Sequence, residues 1–161
     1  MFIVGVRSDL GLEWSFPDPT HSQEALTFEQ FVTGKYWERH RIVPPIETLA
    51  SDGFMESPTL QPWRTVRDAL VGLPDPVPAG EAYANIAHVH HAGARSYLGH
   101  TGSPLDRPSK TLKAGVHGVP GGENTICLDN GTVRYLTVRE AARIQAQRNR
   151  AVGCTPSSET R

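Results

Sequence analysis

Residues 103–146 read SPLDRPSKTLKAGVHGVPGGENTICLDNGTVRYLTVREAARIQA, a strand, a glycine-rich loop, a hairpin and a capped helix in succession. In ENTICLDNGTVRYL (123–136), two runs rich in β-branched and aromatic residues flank Asn130-Gly131. That dipeptide tolerates positive φ and predicts a hairpin with a two-residue turn. Thr137-Val138-Arg139-Glu140 follows, a hydroxyl with a carboxylate three residues on, so each side chain can satisfy a free backbone N–H at a helix start. A helix opens at Thr137, and Val138, Ala141, Ala142 and Gln145 form the stripe expected to lie on the sheet.

Upstream, Arg107, Lys110, Lys113 and His117 surround a short strand that runs into Gly115, Gly118, Gly121 and Gly122. Glycine lets backbone come close to a ligand, and cations beside it suit a loop pressed on a phosphodiester chain. A solvated glycine-rich turn with scattered surface cations has the same composition, and composition alone does not separate the two.

Bulk properties narrow the classes. A length of 161 residues suits one domain with a core, and no apolar run approaches the ~20 residues of a membrane-spanning helix. Residues 1–6 are too short and lack the basic start of a signal peptide, so a cytoplasmic location is the default. Cys127 and Cys154 have no ligand spacing; Cys127 reads as a small core residue. Net charge is −1, but its distribution is uneven: acids outnumber bases about two to one up to Ala87, and bases dominate from His88 to Arg150. The second half is the one suited to an anionic partner.

Taken in order, residues 2–7 read as a buried strand and 12–22 as an extended connection in which His21 is a solvated residue. Thr27 with Gln30 suggests a short helical turn, broken at Gly34, after which Tyr36 and Trp37 pack locally instead of stacking on bases. A proline-punctuated linker over 43–62 leads to a second capped start, Thr65 with Asp68, closed by Gly72 and Pro74. Alternating His88 and His90 would share one face of a strand. With no carboxylate or cysteine to complete a metal set, they suit hydrogen bonding to DNA or to loop backbone.

Four segments carry a resemblance. FIVGVRSD (2–9), PWRTVRDAL (62–70), RPSKTLKAG (107–115) and RYLTVREAARIQ (134–145) together resemble the C-terminal third of a bacterial DNA (cytosine-5) methyltransferase. The first is similar to the end of the family's eighth conserved motif, the middle two to its target-recognition region and the last to its ninth motif. The likeness spans residues 2–145, and TVREAARIQ (137–145) is its most specific part.

The resemblance implies an α+β fold: a small, loop-rich mixed domain with short strands, a β-hairpin and two or three short helices, detached from an absent α/β Rossmann-like methyltransferase domain. It divides the chain into a residual strand of that domain (1–11), a target-recognition region (12–136, with a border near 74–80), a ninth-motif helix (137–147) and a disordered tail (148–161). Family chemistry needs a cysteine thiolate to add to cytosine C6, an acid at N3, S-adenosylmethionine in a glycine-rich loop, and a target base turned out of the helix. This sequence has no Pro-Cys, no Glu-Asn-Val and no cofactor loop. The implied function is therefore a DNA-reading fragment, inactive alone, with no catalytic, metal or cofactor-binding residue; S-adenosylmethionine belongs to the intact enzyme.

By carry-over, Thr111 and Lys113 would contact backbone phosphate beside Arg107. Lys110, Gly115, His117 and Gly118 would lie in or beside the groove-facing loop. Thr137, Arg139, Glu140 and Arg134 would brace the hairpin against the helix, or serve as ordinary surface pairs. The expected partners are double-stranded DNA and a separate chain carrying the catalytic half, with no membrane. Two rival readings are an interaction module whose residues 2–6 add to that partner's sheet, and a non-functional remnant.

Overall fold

A computed structural model describes residues 3–11, 13–45, 56–78, 87–99, 101–113 and 124–145. The chain divides into two compact units, one running to Trp63 and the other starting at Arg64. Both are assembled from short elements joined by long irregular stretches, and together they make the small mixed α+β architecture expected from the sequence, with four short α-helices and two small sheets among the described residues.

In the first unit, β1 (His21–Ser22) leads directly into α1 (Gln23–Phe28). Ser22 is its N-cap, the hydroxyl accepting a hydrogen bond from the Ala25 backbone N–H at 3.1 Å. The expected start at Thr27 is thus one turn late, because Ser22 already satisfies the free N–H groups of the run that follows it. The helix widens into a π turn over Glu29–Thr33 and stops at Gly34, whose φ of 72° is left-handed. Next comes α2 (Lys35–His40). Leu26, Tyr36 and Trp37 form a small core with Ile42 against it, and the Trp37 indole N–H donates to the Gln30 carbonyl at 2.7 Å. Tyr36 and Trp37 meet edge to face, and their burial keeps both rings from stacking on bases. Then β2 (Gln61–Pro62) pairs in parallel with β1.

Residues 3–7 are not the expected buried strand. They form no strand, and Ile3 is 85% exposed. An apolar run becomes a strand only where a neighbouring ladder takes its backbone groups, and among the described residues nothing pairs with this one.

The second unit opens with α3 (Val66–Leu70), whose Thr65 and Asp68 make the reciprocal cap anticipated from the sequence. A three-stranded sheet follows, β3 (Ser103–Pro104), β4 (Thr125–Cys127) and β5 (Val133–Tyr135), with β4 in the centre, parallel to β3 and antiparallel to β5. Thr137 and Glu140 then cap α4 (Val138–Ile144) reciprocally. Val66, Leu105, Ile126 and Leu136 form the core, flanked by Leu70, Leu112, Leu128 and Ile144.

Two local expectations are corrected. The β4–β5 hairpin does not close on a two-residue Asn130-Gly131 turn: the Leu128 N–H reaches the Thr132 carbonyl at 2.9 Å, and the Gly131 N–H reaches that of Leu128 at 2.9 Å. Three residues therefore make the tip. Only Gly131 is left-handed, since Asn130 is engaged through its side chain, which accepts from the Thr132 backbone N–H and hydroxyl. The two-residue type I′ turn that Asn-Gly favours needs positive φ at both central residues, and Asn130 does not have it. The helix stripe is rotated as well: Val138 is 46% exposed and Gln145 is exposed, whereas Glu140 and Ala141 are buried and Ile144 packs on the core. Glu140 is drawn inward by its cap and by an arginine, and that sets the helix's face.

Candidate nucleic-acid interface

The backbone of 103–113 is pinned at several points. At its start, the Leu105 and Arg107 carbonyls accept from the Arg67 and Val66 N–H groups at 2.8 and 3.0 Å, satisfying donors that the first turn of α3 leaves free. Midway, the Ser103 hydroxyl accepts from the Lys110 N–H at 3.1 Å. At the end, the buried Asn124 side chain grips Lys113 from both sides, its oxygen accepting from the Lys113 N–H (3.0 Å) and its amide donating to the Lys113 carbonyl (2.7 Å). A stretch without helix or continuous strand is thereby held in one course, and Arg107, Lys110, Thr111 and Lys113 are all exposed along it. Gly115, His117 and Gly118 lie outside the described residues, as do Gly121, Gly122, Cys154 and the 148–161 tail.

Electrostatics favour an anion along this course. The described part of the second unit carries nine Lys and Arg against five Asp and Glu. Four of the five carboxylates are consumed internally. Asp68 caps α3. Asp106 and Asp129 are both bound by Arg67, whose Nε donates to Asp106 at 2.6 Å and whose Nη1 donates to Asp129 at 3.0 Å. Burial works against the Arg67 charge, but these carboxylates outweigh it and hold the guanidinium above its ordinary pKa. In return, the Arg67 hydrogen bonds hold Asp129 below the usual carboxylate value. Glu140, 2% exposed, both caps α4 and receives the Arg134 fork at 2.6 and 2.8 Å. Arg64, Arg107 and Lys110 make no ion pair with any described residue.

Arg134 and Glu140 thus tie β5 to the first turn of α4. Thr137 adds a second tie: the buried His88 ring sits between its hydroxyl (Nδ1, 2.7 Å) and the Pro74 carbonyl (Nε2, 2.8 Å). The carbonyl only accepts, so Nε2 carries the proton and Nδ1 accepts from Thr137. His88 and His90 do not share a face, since His88 is buried and His90 exposed; a single bridge, Val77 to Val89, replaces the expected strand. Arg139 is held by its backbone N–H on the Ala87 carbonyl (3.1 Å), and its buried Nε has no hydrogen-bond partner among the described residues. Cys127 is half-buried on β4.

A cleft of about 380 Å³ adjoins the basic stretch. One wall is residues 108–112, a second the start of α3 with Arg64, and a third the end of α4 with Arg143, which also donates to the Val71 carbonyl at 2.8 Å. Its walls bring Lys110 and Thr111 together with two arginines that sequence reasoning did not select. Their only signal was charge, because the residues that meet there lie far apart in the chain. No group of three or more possible metal ligands occurs among the described residues. None of the helices there is long and apolar enough to cross a membrane. Comparison with protein-family models, with curated proteins and with solved structures finds no match for this chain.

Proposed function

We propose that this chain is the DNA-reading, C-terminal portion of a cytosine-5 methyltransferase, working in the cytoplasm, and that it binds duplex DNA without transferring a methyl group itself. The observation that carries the reading is charge segregation. Local carboxylates are spent on Arg67, Arg134 and the helix caps, while Arg107, Lys110 and Lys113 stand exposed along one pinned backbone course. Phosphate contacts fix register on a duplex, and a fixed backbone bearing exposed cations supplies them. In this reading Thr111 and Lys113 meet phosphate beside Arg107. Lys110, Gly115, His117 and Gly118 face the groove. S-adenosylmethionine and the catalytic cysteine belong to the family's catalytic domain, which these 161 residues do not include.

Titration of labelled duplexes of several sequences tests the binding. Lys113→Ala should weaken all of them alike, because a phosphate contact carries no sequence information. Indistinguishable wild-type and mutant curves would remove the phosphate assignment.

The exposed apolar residues Ile3, Val4 and Val6 favour a second role beside the first, as an edge that completes the sheet of the catalytic chain. Co-expression with such a chain should give methylation that neither produces alone. Failure of the pair, together with failure to bind DNA, leaves a non-functional remnant.

A further inference from the structure

We infer that the cleft between α3, residues 108–112 and the end of α4 is a site for one nucleotide unit, a phosphate ester with a compact, hydrogen-bonding body. Its volume of about 380 Å³ lies in the range of small-ligand sites, roughly 300–1,000 Å³. Its rim carries Arg64 and Lys110, both exposed and without an ion-pair partner among the described residues, and no carboxylate of the described residues lines it. Cations without acids select a dianionic group over a zwitterion or a cation. The floor is aliphatic, with the half-buried Leu112 and Ile144 backed by the core, and gives an organic body a surface that inorganic phosphate cannot use. Gln145, exposed at the end of α4, brings an amide with one donor and one acceptor side, the pairing that fits a base edge.

The site shares Lys110 and Thr111 with the duplex surface of the DNA reading and adds Arg64, which that reading leaves unused, so Arg64→Ala is the variant that separates the two. Two sources supply the ligand chemistry: a free nucleoside monophosphate, or a nucleotide within a strand.

Calorimetric titration of the full chain with a nucleoside monophosphate, with the matching nucleoside and with inorganic phosphate tests the inference. The monophosphate should bind more tightly than either fragment. Arg64→Ala and Lys110→Ala, both at exposed positions, should each weaken it about tenfold, the loss expected for one charge-assisted hydrogen bond. Gln145→Ala should weaken the monophosphate and leave phosphate unchanged. No binding at millimolar ligand, equal binding of phosphate and monophosphate, or binding untouched by both cation variants overturns the site. Competition by a short single-stranded oligonucleotide assigns the cleft to a strand, and absence of competition assigns it to the free nucleotide. A duplex titration on the same sample reports separately on the DNA reading.

Discussion

Gly102 immediately precedes β3 with a φ of 79°, and a Cβ there would lie 2.9 Å from the Ile126 carbonyl carbon and 3.0 Å from the Cys127 nitrogen. Both neighbours are backbone of the central strand and cannot step aside without breaking its ladder. Gly102→Ala should therefore cost about 2 kcal/mol or more in stability, read by denaturant unfolding. Arg134 is the second position where one side chain decides much. Removing it leaves the buried Glu140 carboxylate with only its cap, and Arg134→Ala should lower stability by about 3–5 kcal/mol. The double variant Arg134→Met with Glu140→Gln should recover most of that loss, because the glutamine oxygen still serves the Thr137 N–H and no charge is left buried. Both caps at Thr65 and Thr137 were legible in the sequence, since their partners lie three residues away. The Asn124 grip on Lys113 was not: an asparagine before a strand reads equally as a turn residue, and only the folded chain brings it alongside residue 113.

At the scale of elements, Arg67 on α3 joins the turn after β3 to the tip of the β4–β5 hairpin through Asp106 and Asp129. Asp129 is 62 residues from Arg67 in sequence, and no local pattern announces that meeting. The same holds for His88 and Thr137, 49 residues apart. The hairpin itself was visible in its alternating runs, but its turn type was not, because Asn130-Gly131 suits both a two-residue turn and a three-residue tip with one left-handed glycine. Because Arg67 depresses the folded-state pKa of Asp129, this tie stabilises fully above the ordinary carboxylate value, about 3.9, and is lost as pH falls through the lowered one. Unfolding of the wild-type chain should thus show stability dropping with acid below about pH 4. In Asp129→Asn that part of the slope should flatten, and a slope equal to wild type would show that the hairpin tip is not held by its charge.

Across the whole molecule, a formal charge of −1 conceals two units of opposite character. In the first, described acids outnumber cations, and Arg7 is already bound to Asp9 at 2.9 Å. Binding to a polyanion should therefore be carried by the second unit. If Arg107 and Lys113 each neutralise one phosphate, the logarithm of the duplex binding constant should fall against the logarithm of salt with a slope of about −2. Each single alanine substitution of these two should reduce the slope by about one. Arg7→Ala and Lys35→Ala in the first unit should leave both slope and affinity unchanged. A slope that responds to the first-unit variants, or ignores the second-unit ones, would place the duplex somewhere other than the pinned 103–113 course. Affinity alone cannot separate these outcomes, because a variant that loosens the fold also weakens binding, whereas the salt slope counts only the ions released when phosphate meets cation.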